Sequence, residues 1–118
     1  MITAEIKGIF AVDMIRLEDY APENLDIFCI PIRIMAGPRN QRGEESFDIK
    51  ICSPGWLREY LEQERFLVGR HYLFVSHYDV HLIEKTIEKL IGRFQADSWR
   101  EIAEKIGQFA LWEFADYR

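Results

Sequence analysis

Two segments with a residue period of two, joined by a polar loop, constrain the fold of this chain more than any other feature. They cover residues 27–35 and 45–52, and in each the apolar side chains alternate with other residues. This period places apolar groups on one face of a strand. Residues 37–43 combine turn-forming residues with two arginines, which indicates an exposed loop. The sequence therefore predicts a hairpin, and Pro31, which lacks an N–H, predicts an edge position or a bulge in its first strand.

Two more strands are indicated outside the hairpin. Ile2, Ala4 and Ile6 alternate with polar residues, and residues 71–76 are rich in aromatic and β-branched side chains, which favours extended structure. Residues 13–26 are mixed and polar and predict an irregular connection. We expect its apolar residues to attach it to the core; these are Met14, Ile15, Leu17, Tyr20 and Leu25.

Three helices are predicted from their capping residues. Ser53 precedes a proline at the first helical position, Asp79 precedes apolar residues spaced three and four apart, and Ser98 with Glu101 forms a capping box. The tail, residues 109–118, is too aromatic to remain in water, so we expect it to pack on the sheet or the helices. Together the elements predict an α+β fold, with a mainly antiparallel sheet of about four strands and about three helices packed on it.

Length and composition predict one domain over residues 1–118, since 118 residues with 48% apolar side chains can fill one core. No apolar run approaches the ~18 residues of a membrane span, and the first residues do not resemble a signal peptide. Two cysteines are too few for a disulfide scaffold or a zinc site made of sulfur alone. We therefore expect a cytoplasmic protein without membrane association.

The net charge of −5 opposes binding to nucleic acid and favours a basic protein as partner. Neither a Gly-x-Ser-x-Gly elbow nor a glycine-rich phosphate loop occurs in the sequence. We predict that the protein is not an enzyme, with no catalytic residue, no cofactor and no metal. An alternative is a small metal-dependent enzyme that uses His71, His77 and His81. It is disfavoured because Asp79, as the helix cap, places His77 before the helix.

Four segments together resemble one known family. They are Gly-Glu-Glu-Ser-Phe-Asp at 43–48, Ser-Pro-Gly-Trp-Leu at 53–57, Gly-Arg-His-Tyr-Leu at 69–73 and Trp-Glu-Phe-Ala-Asp-Tyr at 112–117. In this order they resemble immunity protein family 8, over nearly the whole chain. The resemblance implies a protein encoded beside a polymorphic toxin of bacteria, as in contact-dependent inhibition systems. It also implies that the chain protects the producing cell by binding the toxin domain in a stoichiometric complex.

The contact residues are inferred from charge, not from the resemblance. If the toxin is a nuclease, its substrate groove must be basic, and an acidic surface could fill it through steering and charge-assisted hydrogen bonds. We predict that the contacts are the acids at the hairpin base and the acids and tyrosine of the tail; these are Glu44, Glu45, Asp48, Glu113, Asp116 and Tyr117. A structural or regulatory homo-oligomer, formed through the exposed face of strand 27–35, is the other alternative.

Overall fold

Six strands and three helices make up the described part of the chain, residues 1–116, in this computed structural model. In chain order they are β1 (Ile2–Phe10), β2 (Cys29–Pro38), β3 (Glu45–Cys52), α1 (Pro54–Glu64), β4 (Tyr72–Phe74), α2 (Val80–Gly92), β5 (Gln95–Ala96), α3 (Trp99–Ile106) and β6 (Leu111–Trp112). The α+β class and the three helices are confirmed. The sheet has two short strands, β5 and β6, beyond the four predicted.

The strands form one mixed sheet in the order β4-β3-β2-β1-β5, and β6 also pairs with β3. Every pair is antiparallel except β3 with β4. These two strands run parallel because α1 connects them, and a helical crossover returns the chain in the same direction. The pairing of β6 with β3 confirms that the tail, as far as it is described, packs on the sheet.

The β2–β3 hairpin carries the core. Its register is continuous from the pair Cys29–Cys52 to the pair Ala36–Glu45, and one face is buried under α2 and α3. The core side chains of this face and of the two helices are Ile30, Ile32, Ile34, Phe47, Ile49, Ile51, Ile83, Ile87, Ile91, Ile102 and Ile106. Each such side chain contributes about 1.5–3 kcal/mol when fully buried. We call this side of the sheet the helical face and the opposite side the open face.

β2 is an interior strand of the sheet, but Pro31 lies beyond its pairing with β1 and is therefore at a local edge, whereas the register with β3 is continuous there and shows no bulge. Lys50, opposite Pro31, donates its backbone N–H to the carbonyl of His71 at 3.0 Å. Lys50 therefore directs its backbone polar groups towards β4, and Pro31 directs its nitrogen towards β1. Pairing of β1 with β2 ends at Phe10 and Arg33, so the proline removes no hydrogen bond from the sheet.

The connection between β1 and β2 contains two short 3-10 turns, Val12–Met14 and Leu17–Asp19. Leu17 is buried and Tyr20 is half-buried, as expected for residues that attach this segment to the core. The expectation is wrong for its other apolar residues, because Met14, Ile15 and Leu25 are exposed. The segment is therefore attached at Leu17 and leaves apolar side chains in water on either side.

The three predicted caps all form. Asp79 Oδ1 accepts from the N–H of Leu82 at 3.1 Å, and Ser98 Oγ accepts from that of Glu101 at 3.2 Å. Ser53 does more than cap α1, because its buried Oγ accepts from Trp56 N–H at 3.2 Å and also from Phe28 N–H at 3.1 Å. No helix of residues 1–116 is both long and apolar enough to span a bilayer.

Replacing Ser53 by alanine should destabilise the fold more than an ordinary cap mutation. The variant Ser53→Ala loses the cap and leaves the buried N–H of Phe28 without an acceptor, so we expect a loss of about 2–3 kcal/mol. Ser98→Ala is the matched control, with a single cap bond and an expected loss of about 1 kcal/mol. Urea denaturation of both variants measures the difference, and equal losses would contradict the double role of Ser53.

Candidate functional site

Pairing of β6 with β3 brings the acids of the tail next to those of the hairpin base. The backbone N–H of Glu113 donates to the carbonyl of Ser46 at 3.0 Å, and Glu113 Oε1 accepts from the N–H of Ser46 at 2.7 Å. Glu44 is exposed at the start of the hairpin strand, and Asp116 is exposed beyond β6. Tyr117, the last of the six predicted contacts, lies outside the described residues. The other five predicted contacts, all of them acids, therefore lie near one edge of the sheet.

The side chain of Glu45 makes hydrogen bonds within the fold. Its Oε1 accepts from the indole N–H of Trp99 at 2.6 Å and from that of Trp112 at 3.0 Å. One carboxylate oxygen thus connects β3, α3 and β6 on the helical face. Hydrogen bonds to an ionised acceptor are stronger than neutral ones, so this half-buried carboxylate supports the edge on which the other acids lie.

Asp48 is paired across the open face with Arg33. Two hydrogen bonds join them, from Arg33 Nε to Oδ1 at 2.9 Å and from Nη2 to Oδ2 at 3.0 Å. The bond to Asp48 and the attraction of its charge, with a further contribution from Glu113, raise the pKa of the Arg33 guanidinium. The pair is well exposed, so it contributes little to stability. Its effect is to hold both side chains in fixed positions on the open face.

A groove of about 580 Å³ crosses the open face beside this pair. We call it the sheet groove. Arg33, Asp48 and Lys50 form its floor, residues 12–14 form one wall, and residues 70–72 form the other. A second hollow shares Arg70, His71 and Leu111 with the groove and also contains Asp116. The groove is therefore continuous with the edge that carries the tail acid.

The first wall of the groove is a fixed turn with exposed apolar side chains. The N–H of Ala11 donates to the carbonyl of Ile15 at 2.7 Å, which closes the turn. Asp13 and Met14 have φ angles of 58° and 59°, a region that costs non-glycine residues energy and that clusters at functional sites. Val12 is 42% exposed and Met14 is 54% exposed. A strained backbone thus presents apolar side chains to solvent, as binding surfaces do.

The second wall is aromatic and basic. Lys50 Nζ lies 5.4 Å from the centre of the Tyr72 ring, and the Tyr72 ring stacks on Trp56 of α1 and on Phe74. His71, at the end of this wall, has a φ of 62°. Tyrosine, tryptophan and arginine are the residues that most often dominate binding energy at protein interfaces. This wall therefore has the composition of a protein-binding surface.

Sequence reasoning missed the sheet groove. Val12 and Met14 are apolar residues in a polar connection, a pattern that equally fits residues attached to the core. No local sequence pattern indicates that residues 70–72 lie across the groove from Val12 and Met14. That placement results from the crossover through α1. The unusual density of apolar residues in the turn was the one available signal.

The two alternative functions find little support. His71 lines the groove, whereas His77 is exposed with Nε2 at 3.7 Å from Asp79 Oδ2, outside it. Within residues 1–116, no three His, Cys, Asp or Glu side chains come together as metal ligands. β2 pairs with β3 along its length and with β1 from Arg33 to Pro38, and its open face carries Arg33 among Cys29, Pro31 and Met35, so the charge of Arg33 is what opposes pairing of this face with a second copy.

Truncating Glu45 should destabilise the protein through the two indoles. The variant Glu45→Ala leaves the N–H groups of Trp99 and Trp112 without their acceptor, so we expect a loss of about 2 kcal/mol and a shifted tryptophan emission spectrum. Glu44→Ala, at the exposed neighbouring position, is the control and should change stability by less than about 0.5 kcal/mol. If urea denaturation gives similar values for both variants, Glu45 does not connect these elements.

Comparison with known proteins agrees with the resemblance that the sequence indicated. No curated protein and no solved structure matches the chain significantly. The family model described as Immunity protein 8 matches residues 4–117. This match includes both walls of the sheet groove, the hairpin acids and the tail, and the family implies an immunity protein directed against a toxin. The chain belongs to the Immunity protein 8 family.

Proposed function

We propose that this protein neutralises a cognate bacterial toxin domain by binding it in a stoichiometric complex, without catalysis. The contact surface in this proposal is the sheet groove with the acids beside it. The observation that carries it is the fixed turn at residues 11–15, whose strained backbone holds Val12 and Met14 exposed at the groove. A fixed backbone loses little conformational entropy when a partner binds, and exposed apolar groups gain from burial.

The acids have divided roles in this proposal. Glu44 and Asp116 are exposed and meet the partner first, by long-range attraction. Asp48 and Glu113 contact it from positions fixed by Arg33 and Ser46. Glu45 supports these contacts from the helical face, and Tyr117, which lies outside the described residues, remains a contact proposed from the sequence. These roles are assigned according to whether each carboxylate already makes a hydrogen bond within the fold.

We further propose that the toxin is a nuclease and that complex formation occurs in the cytoplasm of a bacterium with a polymorphic toxin system such as contact-dependent inhibition. The net charge of −5 and the exposed acids Glu44 and Asp116 suit a basic nucleic-acid-binding cleft. The sheet groove itself is lined by Arg33, Lys50 and Arg70 as well as by acids, so in this proposal the acidic edge beside the groove occupies the cleft in place of the phosphate backbone. Apolar anchors at Val12 and Met14 would then give the complex its long lifetime, because the affinity of fixed interfaces is set mainly by dissociation.

The acidic edge is tested with the double variant Glu44→Lys, Asp116→Lys and the toxin domain encoded immediately upstream. We expect the association rate constant to fall about tenfold at low salt, with a smaller loss at high salt because screening weakens steering. Glu88→Lys, Asp97→Lys makes the same change in net charge outside the groove and should slow association much less, because these charges are exposed but lie away from the proposed contact. Stopped-flow binding measures the rates, and equal effects of both double variants would contradict this site.

The apolar wall is tested with Met14→Ser. We expect the dissociation rate constant to rise about tenfold with little salt dependence, because a buried apolar contact is lost. Leu25→Ser is the matched control, since Leu25 is 53% exposed but lies outside the groove. If Met14→Ser dissociates at the wild-type rate, the groove is not part of the interface. Failure of the wild type to bind the toxin domain at all would contradict the function itself.

A further inference from the structure

Cys29 and Cys52 face each other at the end of the hairpin remote from its loop. They are directly opposite in the register of β2 and β3, and Cys52 Sγ–H donates to Cys29 Sγ at 2.8 Å. Opposite residues of antiparallel strands have Cα atoms about 4.5–5.5 Å apart, within the range of about 4.4–6.8 Å that a disulfide spans. Both cysteines are free thiols.

The backbone around the pair favours side-chain approach. The carbonyl of Cys52 accepts from Val75 N–H at 2.9 Å, so the backbone groups of Cys52 point towards β4 and away from Cys29. The pair is thus of the non-hydrogen-bonded type, in which the side chains lie closer together. Just beyond the ladder, Phe28 and Ser53 are joined by two hydrogen bonds of 3.1 Å, one from Ser53 N–H to the Phe28 carbonyl and one from Phe28 N–H to Ser53 Oγ. The backbone on both sides of the pair is therefore held in place while the two sulfurs lie in contact.

The two thiols differ in access and in acidity. Cys29 is half-buried, whereas Cys52 is fully buried. The hydrogen bond from Cys52 and the charge of Lys50 lower the pKa of Cys29 in spite of its partial burial. The same hydrogen bond and burial raise the pKa of Cys52. Since the thiolate is the nucleophile in disulfide exchange, Cys29 is the sulfur that reacts first and Cys52 is the one that resolves.

The geometry points to a reversible dithiol–disulfide site formed by Cys29 and Cys52, whose co-reactant is a small-molecule disulfide such as oxidised glutathione. This site does not require toxin binding. It lies at the opposite end of the hairpin from Glu44 and Glu45, and neither cysteine is assigned to the complex. Lys50 is shared, because it lowers the pKa of Cys29 and also lines the sheet groove.

The reaction proceeds in two exchange steps. The Cys29 thiolate attacks one sulfur of oxidised glutathione, which forms a mixed disulfide on Cys29 and releases one glutathione thiolate. Cys52 attacks the Cys29 sulfur and gives its proton to the departing sulfur, which forms the Cys29–Cys52 bond and releases the second glutathione as a thiol. The two cysteines lose two electrons and two protons in total, and one glutathione disulfide is reduced to two thiols.

The experiment uses the purified full chain in buffers with different ratios of oxidised to reduced glutathione. Thiol titration, intact mass and peptide mapping follow the two cysteines, which are the only ones in the sequence. We expect the wild type to lose both thiols together, with no persistent glutathione adduct and with full reversal by dithiothreitol. We also expect the oxidised protein to melt about 5–15 °C above the reduced one, because the bond restricts the unfolded chain.

Single variants separate the roles of the two sulfurs. Cys52→Ser should stop at a glutathione adduct on Cys29, and Cys29→Ser should react at least about tenfold more slowly, because its remaining thiol is buried. Persistent thiols, a stable adduct or an intermolecular dimer in the wild type would overturn the site. Faster reaction of Cys29→Ser than of Cys52→Ser would reverse the assigned order. If a variant does not fold, peptide mapping of the wild type still decides.

Discussion

Burial of the isoleucine face of the β2–β3 hairpin is the interaction on which the rest of this structure depends. α2 and α3 cover that face with their own isoleucines, β1 pairs with β2, and both β4 and β6 pair with β3. On the other side of the sheet, α1 contributes the stack of Trp56 on Tyr72 beside the groove, and the surface next to this stack remains open. The sheet groove is thus a direct result of how the core is built.

The acids at the edge of the sheet show that a carboxylate can serve the fold or a partner, but seldom both equally. The carboxylate of Glu45 accepts hydrogen bonds from two indole N–H groups that hold it in place, so its charge is already partly balanced. Asp48 is paired with Arg33, which fixes it without burying it. Glu44 and Asp116 are exposed. Acids that look alike in the sequence therefore differ in exposure and in hydrogen-bond partners once the fold is formed.

What the sequence could predict is what depends on neighbouring residues. Local patterns predicted the two hairpin strands, the helix caps and the packing of the tail. The structure contains both strands and the caps at Ser53, Asp79 and Ser98, and the tail forms β6. The edge predicted for Pro31 arises within an interior strand, at the point where β1 ends, and this could not be predicted from the hairpin alone. That is a fact about a strand about twenty residues away.

The candidate site was less predictable for the same reason. The six predicted contacts are five acids and one tyrosine, and the prediction rests on their charge and clustering. Neither property reveals that two tryptophans, from α3 and β6, donate hydrogen bonds to Glu45. Met14 is apolar like a core residue, and only its strained backbone and its exposure distinguish it. The groove exists only where several distant segments meet, which no single stretch of sequence describes.

The pairing of β6 with β3 has a consequence for the order of folding events. Ser46 and Glu113 are 67 residues apart along the chain, yet two hydrogen bonds join them. Closing so large a loop costs entropy that must be recovered by contacts formed elsewhere first, so distant pairings of this kind form late. The isoleucine face of the hairpin is covered only after α2 and α3 have been synthesised, and the acidic edge requires the tail as well. In a nascent chain the proposed binding surface is therefore incomplete until almost all of the described sequence has been translated.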